Sequence, residues 1–427
     1  MKSTPMAAAF VALAMLFSAA VAEAAPALSD TMQTEPGSRD SGDLSPAGKA
    51  AVAGINAFSL DLYKRSVTQD DNLFLSPASV STAVSLAYRG AVGKTADELR
   101  KVLHYDAAPA DYLRASGEVF ATMNFSGEGQ VLQTANAIWV QNDLPLKPDY
   151  LADVQTYLKS GLQRTDFRVD PEKARGEING WAAAATHDRI TDLLPPKTVT
   201  PDTRAVLVNA IYFKGLWDAP FDAADTKREP FTRLDGEEQP TLLMHQRSNF
   251  AVIERGGVQA IELPYEGEDV SLVVLLPHLP DGLPEFEARL KDGELTRWLN
   301  ALDTVRHHDT ILTLPKMHLE WQHELKGTLS AMGAPTAFGD EADFSGTATT
   351  ALKISHVIHE ARLDVDEEGA EAAAATGVVM DEVIVSGTRQ GTPPIIFRAD
   401  KPFLFVLRDR RTGLILFMGR YVGPPAP

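Results

Sequence analysis

Four stretches of this chain hold residues whose types and spacing could do chemistry. Gly93-Lys94-Thr95 has the tail of a phosphate-binding loop, but the glycine required five residues earlier is replaced by Tyr88. It is read as a loop leading into a helix. His356 and His359, followed by Glu360, do not make the His-Glu-x-x-His of a helical zinc site. Their segment reads as a strand, where positions three apart face opposite sides. His307-His308-Asp309 is read as solvated, because adjacent histidines diverge in most backbones. No Gly-x-Ser-x-Gly elbow occurs, and nothing sets a nucleophile beside a base, so an enzyme is not supported.

The fourth stretch, EEGAEAAAATGVVMDEVIV from Glu367 to Val385, carries a conflict. Its Glu/Ala half favours a helix and its β-branched half a strand. Such a disagreement is expected where function needs more than one conformation. With a period of two, the even positions are Ala370, Ala372, Ala374, Thr376, Val378 and Met380, none of them charged. The odd positions Glu371, Ala373, Ala375, Gly377, Val379 and Asp381 carry the charges and a glycine. As a strand in a covered sheet, the even face could be wholly buried; its first charge is Glu382. From Ala370 to Met380 such a strand spans roughly 35 Å. Read alone, the stretch fits an Ala-rich surface helix with a β-branched tail equally well.

The elements around it mix helices and strands. Ser45-Pro46 reads as a helix cap, with Val52, Ile55, Phe58 and Leu62 at helical spacing behind it. Ser79 to Tyr88 reads as a buried helix, and Pro171 to Leu193 as a helix stopped by Pro195-Pro196. Val131 to Val140, Arg204 to Phe213 and Ser271 to Leu276 read as strands. Phe403–Leu407 and Leu414–Met418 flank Asp409-Arg410-Arg411-Thr412-Gly413 as a buried hairpin. No internal repeat occurs.

The 427 residues are 44% hydrophobic, enough for a substantial core, and carry a formal net charge of −18. That charge argues against a nucleic-acid or anionic-membrane partner. The absence of cysteine excludes disulfides, thiolate catalysis and Cys-ligated zinc. Lys2, the apolar run Ala7 to Val21 and Ala22-Glu23-Ala24 read as a signal peptide over 1–24, with cleavage after Ala24 and after Ala22 as the alternative. The protein is thus expected to be exported, to a periplasm or beyond the cell. A flexible leader over 25–44 follows.

Ordered motifs along the chain resemble one family. They are Asn72-Leu73-Phe74-Leu75-Ser76-Pro77-Ala78-Ser79; Leu207-Val208-Asn209-Ala210-Ile211-Tyr212-Phe213-Lys214-Gly215 with Trp217 and Pro220-Phe221; Ile261-Glu262-Leu263-Pro264-Tyr265; Leu314-Pro315-Lys316; Ala342-Asp343-Phe344-Ser345-Gly346; and the closing pair Pro402-Phe403-Leu404-Phe405 and Leu416-Phe417-Met418-Gly419-Arg420. Together they resemble the serpins, protease inhibitors that act by inserting their reactive loop. The resemblance implies an α+β serpin fold over 45–427. This is one large domain with a central mixed or antiparallel sheet, further sheets, surrounding helices and an exposed reactive loop over about 367–396.

The resemblance also implies site residues. Glu367, Glu368, Gly369, Ala370, Glu371, Ala372, Ala373, Ala374, Ala375 and Thr376 match the loop hinge of inhibitory members, with Ala370 where Thr or Ser is usual. Ser76, Ser79, Asn209 and His359 match a polar cluster beneath the point where the sheet opens, and Trp217 the residue packed where the loop first goes in. The usual spacing places the reactive bond at Val383–Ile384. The loop is longer than usual after Val383, and Met380–Asp381 and Arg389–Gln390 are the alternatives. The implied function is trapping of a serine protease, elastase-like or subtilisin-like, as a covalent acyl-enzyme. Papain-like cysteine proteases as targets, or a non-inhibitory carrier role, are the runners-up. No cofactor or metal is implied, a monomer is expected, and no basic helix near Glu98 to Phe125 suggests heparin-type activation.

Overall fold

A computed structural model describes residues 44–68, 71–127, 129–159, 161–291, 293–370 and 393–424. The reading of residues 1–24 as a signal peptide, nearly all of the leader, hinge residues Glu371 to Thr376 and every candidate reactive bond fall outside them.

The chain begins with α1 (Pro46–Ser66), β1 (Leu73–Leu75), α2 (Pro77–Gly90), α3 (Gly93–Val102) and α4 (Pro109–Thr122). Then come β2 (Phe125–Gly127), β3 (Gln130–Gln141), α5 (Pro148–Leu158), β4 (Leu162–Thr165), α6 (Pro171–Ala185) and β5 (Ala205–Leu216). A run of strands follows: β6 (Lys227–Thr232), β7 (Glu238–Arg255), β8 (Val258–Pro264) and β9 (Val270–Pro277). After α7 (Leu283–Arg289) and α8 (Glu294–Leu302) lie β10 (His307–Pro315), β11 (Met317–Glu324), α9 (Lys326–Met332), β12 (His356–Val365) and β13 (Gly369–Ala370). β14 (Ile395–Arg398), β15 (Phe403–Asp409) and β16 (Ile415–Tyr421) end the described chain.

Capping explains where several helices start. Ser45, Ser76 and Asp170 each accept a backbone N–H of the first turn, and proline follows each of them. α6 ends at Ala185, eight residues short of the Leu193 read from the sequence. The backbone turns there because His187 and Asp188 adopt positive φ, 50° and 60°, and Ile190 N–H is taken by the Thr186 hydroxyl at 3.0 Å.

Two sheets carry the molecule. The nine-stranded sheet runs β1-β16-β15-β9-β8-β7-β10-β14, with β6 on β7. The hairpin β15–β16 lies inside it, and every residue of β9, β15 and β16 is buried. The seven-stranded sheet runs β11-β12-β13-β5-β3-β2, with β4 on β3. It is mixed: β12 and β4 run parallel to their partners β5 and β3, and the other ladders are antiparallel. One core, holding Phe74, Phe213, Phe405 and Phe417, includes residues from both sheets. A second, around Trp139, Ile178, Trp181 and Val208, fills the contact between α6 and the seven-stranded sheet. No helix among the described residues is long and apolar enough to cross a membrane.

Candidate functional site

The site is a fork in the seven-stranded sheet. At one end β12 pairs directly with β5, from His356 opposite Val206 to Ala361 opposite Ile211. Beyond Ala361 the two strands part. Between them lies β13, Gly369–Ala370, bonded to both: Ala370 is opposite Gly215 on one side and Val365 on the other. Two residues of the expected hinge thus occupy the head of a strand position. Ala370 is completely buried, in the core that also holds Trp217, Phe213 and Val365. Gly369 has φ +154°, and a Cβ there would lie 2.0 Å from the Gly215 carbonyl oxygen, so only glycine fits.

A set of hydrogen bonds holds this turn. Asp366 Oδ1 accepts the N–H groups of Glu368 and Gly369 at 2.9 and 3.2 Å. Trp217 N–H donates to Glu368 O at 2.8 Å, and Phe221 N–H to Glu367 O at 2.9 Å. The Trp217 indole donates to Asp366 O at 3.0 Å while stacking on Tyr265 with centroids 4.4 Å apart. The Glu367 carboxylate receives Lys316 Nζ at 2.6 Å and the Thr226 hydroxyl at 2.7 Å. Burial alone would raise its pKa, but these two bonds outweigh burial and hold the carboxyl below its usual range.

The second part of the site lies under the closed end of the fork. His359, Asn209 and Asn136 sit directly opposite one another across β12, β5 and β3. The Ser76 backbone N–H donates to His359 Nε2 at 3.0 Å. Nε2 is therefore the acceptor, and Nδ1–H donates to Asn209 Oδ1. Asn209 Nδ2 in turn donates to Ser79 Oγ and Asn136 Oδ1. Ser79 Oγ donates to Asn136 Oδ1 at 3.1 Å, and Ser76 Oγ to Leu416 O at 2.7 Å. Full burial drives the His359 pKa down to about 3, so its ring is neutral. The cluster ties α2 and β16 to β5 and β12 where these two strands pair directly, and parting β5 from β12 would break its His359–Asn209 bond.

The structure thus gathers Ser76, Ser79, Asn209 and His359 in one network, and places Trp217 apart from them, at the open end beside Asp366 and Tyr265. Asn136, Lys316, Thr226 and Asp366 belong to the site and were missed from the sequence. An isolated asparagine inside the apolar strand Ala135–Val140 was the one available signal for Asn136.

The other candidates lie elsewhere. Gly93-Lys94-Thr95 opens α3, with Lys94 3.6 Å from Glu98 and Thr95 Oγ1 accepting Asp343 N–H at 2.9 Å. His307 and His308 are exposed on β10, and His356 pairs with Glu324 at 2.7 Å. Among the described residues, no group of three or more His, Asp or Glu is placed to hold a metal ion.

The serpin family model, described as serpin (serine protease inhibitor), matches residues 53–424. An uncharacterised serpin-like protein of Methanosarcina mazei is 36% identical over 417 residues, covering 96% of both chains. Human serpin B4 is 35% identical over 386 residues, covering 86% of this chain and 97% of its own. The crystal structure of human thyroxine-binding globulin superposes with a TM-score of 0.78 at 27% identity, covering 88% of this chain and 100% of that one. The chain belongs to the serpin family and has its fold; members of this family are generally protease inhibitors rather than enzymes.

Proposed function

We propose that this protein is a single-use inhibitor of serine proteases that traps the acyl-enzyme by drawing its cleaved loop into the seven-stranded sheet. The observation that carries this reading is Gly369–Ala370, bonded between β5 and β12 at the point where those two strands part. Six residues further along the register that Ala370 shares with Gly215 and Val365, Thr376 comes opposite Asn209 and His359. A small hydroxyl there would replace the side-chain bond that the parting strands lose. The even face that follows Ala370 is uncharged until Glu382. In exchange for the parallel β5–β12 ladder, the sheet would gain two antiparallel ladders, each bond contributing about 1 kcal/mol net.

The chemistry belongs to the protease. Its serine oxygen attacks the Val383 carbonyl carbon, the bond to the Ile384 nitrogen breaks, and an ester links the enzyme to Val383. The freed arm from Ala370 to Val383 spans roughly 43 Å as a strand, enough to carry the tethered enzyme along the sheet before water reaches the ester. Valine at the reactive position suits an elastase-like or subtilisin-like pocket. The reading includes export directed by residues 1–24 and action as a monomer.

Incubating the mature protein with an elastase, a subtilisin and a trypsin, followed by denaturing electrophoresis and mass spectrometry, tests this. A complex that survives denaturant, with a peptide released from Ile384, is expected. Cleavage without a complex from every protease would overturn the reading. In favour of a carrier role stands the likeness to thyroxine-binding globulin, whose structure is of a thyroxine complex; a carrier that cannot insert would gain no thermal stability when its loop is nicked.

A further inference from the structure

Away from the fork, the hairpin β7–β8 turns through Gly256 and Gly257, both with positive φ, 54° and 77°. Such a turn suits two glycines and fixes the residue before it. That residue is Arg255, which faces α7 and α8 across a cavity of about 190 Å³. Arg289 and Arg297 line the same cavity, so three arginines border it in a chain of net charge −18. Among the described residues neither Arg255 nor Arg297 forms an ion pair. Arg289 reaches only Glu285, one turn back on its own helix, at 3.9 Å. Among the described residues the carboxylate lining the cavity is that of Glu294, which accepts the Lys291 N–H at 3.3 Å.

The cavity also has an apolar wall. Phe286 and Trp298 are 3% and 6% exposed and meet edge to face, with centroids 6.1 Å apart at 89°. The Arg255 guanidinium lies 5.8 Å from the Trp298 ring centroid. Arg255, Arg289 and Arg297 are exposed at the mouth of the cavity, where water screens their mutual repulsion; guanidinium groups there can offer a carboxylate paired N–H donors. A void of roughly 150 Å³ lined by apolar side chains holds a benzene ring. The cavity therefore has room for one ring against Phe286 and Trp298, with its anionic group toward the arginines.

We propose that this cavity binds a monocyclic aromatic carboxylate. The site is independent of the fork and of the inhibitory reading. The test uses the full mature protein and benzoate, read by saturation-transfer NMR of the ring protons in a concentration series. Saturable binding is expected, weakened at least about tenfold in the R255Q/R297Q double variant. The single variants R255Q and R297Q, checked for an unchanged melting temperature, are each expected to lose part of the affinity, which separates lost recognition from lost folding. Inorganic phosphate and cyclohexanecarboxylate serve as competitors and are expected to displace benzoate poorly. Absence of saturable binding, or equal binding by the double variant, would overturn the site. Displacement by phosphate or cyclohexanecarboxylate as effective as that by unlabelled benzoate would overturn the ligand class.

Discussion

The two sheets differ in how completely they are bonded. In the nine-stranded sheet β15 is paired with β16 on one side and β9 on the other along nearly its whole length, with no exposed residue. Even the charge buried there is matched: Arg408 lies 2.7 Å from Glu262 and 2.5 Å from Asp303. In the seven-stranded sheet β5 and β12 share six Cα pairs and then separate around a two-residue insert. Buried polar atoms without a hydrogen-bond partner occur in both sheets, among them Asn136 Nδ2 and Trp139 Nε1 on β3 and His245 Nε2 on β7. Each such atom costs on the order of 1–3 kcal/mol. The difference between the sheets therefore lies in backbone pairing: on the proposed reading, an added strand would find its place in the seven-stranded sheet, beyond Gly369–Ala370.

Filling the head of the fork with the wrong side chain should break this difference most severely. Ala370→Glu would bury a carboxylate at a fully enclosed position between Gly215 and Val365. The variant is expected to be cleaved at an undiminished rate while the fraction converted to stable complex falls at least about tenfold. Nicking the loop of the unaltered protein should raise its melting temperature by roughly 10–20 °C, from on the order of ten new net hydrogen bonds. The nicked variant should show almost none of that rise. Equal trapping by both proteins would mean that insertion does not begin at Ala370.

How much of this was readable beforehand follows from which forces act locally. The hairpin Phe403–Leu407 and Leu414–Met418 was legible because two buried runs flank a polar turn with a glycine. Of the uncharged even face read from Ala370 onward, only Ala370 lies within the described residues, where Gly369–Ala370 is a strand; by its own residues the stretch fitted a surface helix equally well. The end of α6 was not legible, since Ala184 and Ala185 favour a helix and the reversal at His187 and Asp188 depends on the Thr186 hydroxyl bonding Ile190 N–H. The partners of Glu367 were also hidden. Lys316 and Thr226 lie 51 and 141 residues away, and one sequence does not show which distant charge or hydroxyl meets a given carboxylate.

The next largest effect is one of pH. In the unfolded chain His359 takes up a proton near its ordinary pKa of 6.5, but in the native cluster not until about 3. The proton is bound by the unfolded state first. The stability due to neutral burial is therefore fully present above about pH 6.5 and is lost as pH falls toward about 3, by up to ~1.4 kcal/mol per pH unit. No charge compensates: the ring's bonding partners are the Ser76 N–H and the Asn209 amide, and Trp321 lies 6.0 Å away. Denaturant unfolding at a series of pH values between 6.5 and 4 should show a shallower slope in His359→Gln than in the unaltered protein. Identical slopes would mean that the cluster does not make the closed end of the fork acid-sensitive.

The smallest effect tests the fastening of the turn rather than the sheet. Lys316 Nζ meets Glu367 at 2.6 Å, with side chains 36% and 13% exposed, so solvent screens much of the attraction. Removing it in Lys316→Ala should cost only about 0.5–1 kcal/mol in denaturant midpoint measurements, and less at 1 M salt than at 0.1 M. Its consequence for the fork is larger than for the fold, because Glu367 anchors the residue from which the chain turns into β13. Loosened there, Gly369–Ala370 should leave and re-enter the fork more often, and hydrogen exchange at the Ala370 amide should speed up by roughly three- to fivefold, the same free energy expressed as an opening equilibrium. Exchange in β9 and β15 should not change. A variant that speeds exchange equally in both sheets would show that Lys316 supports the whole molecule, and the contrast between the continuously paired sheet and the forked one would then not extend to this ion pair.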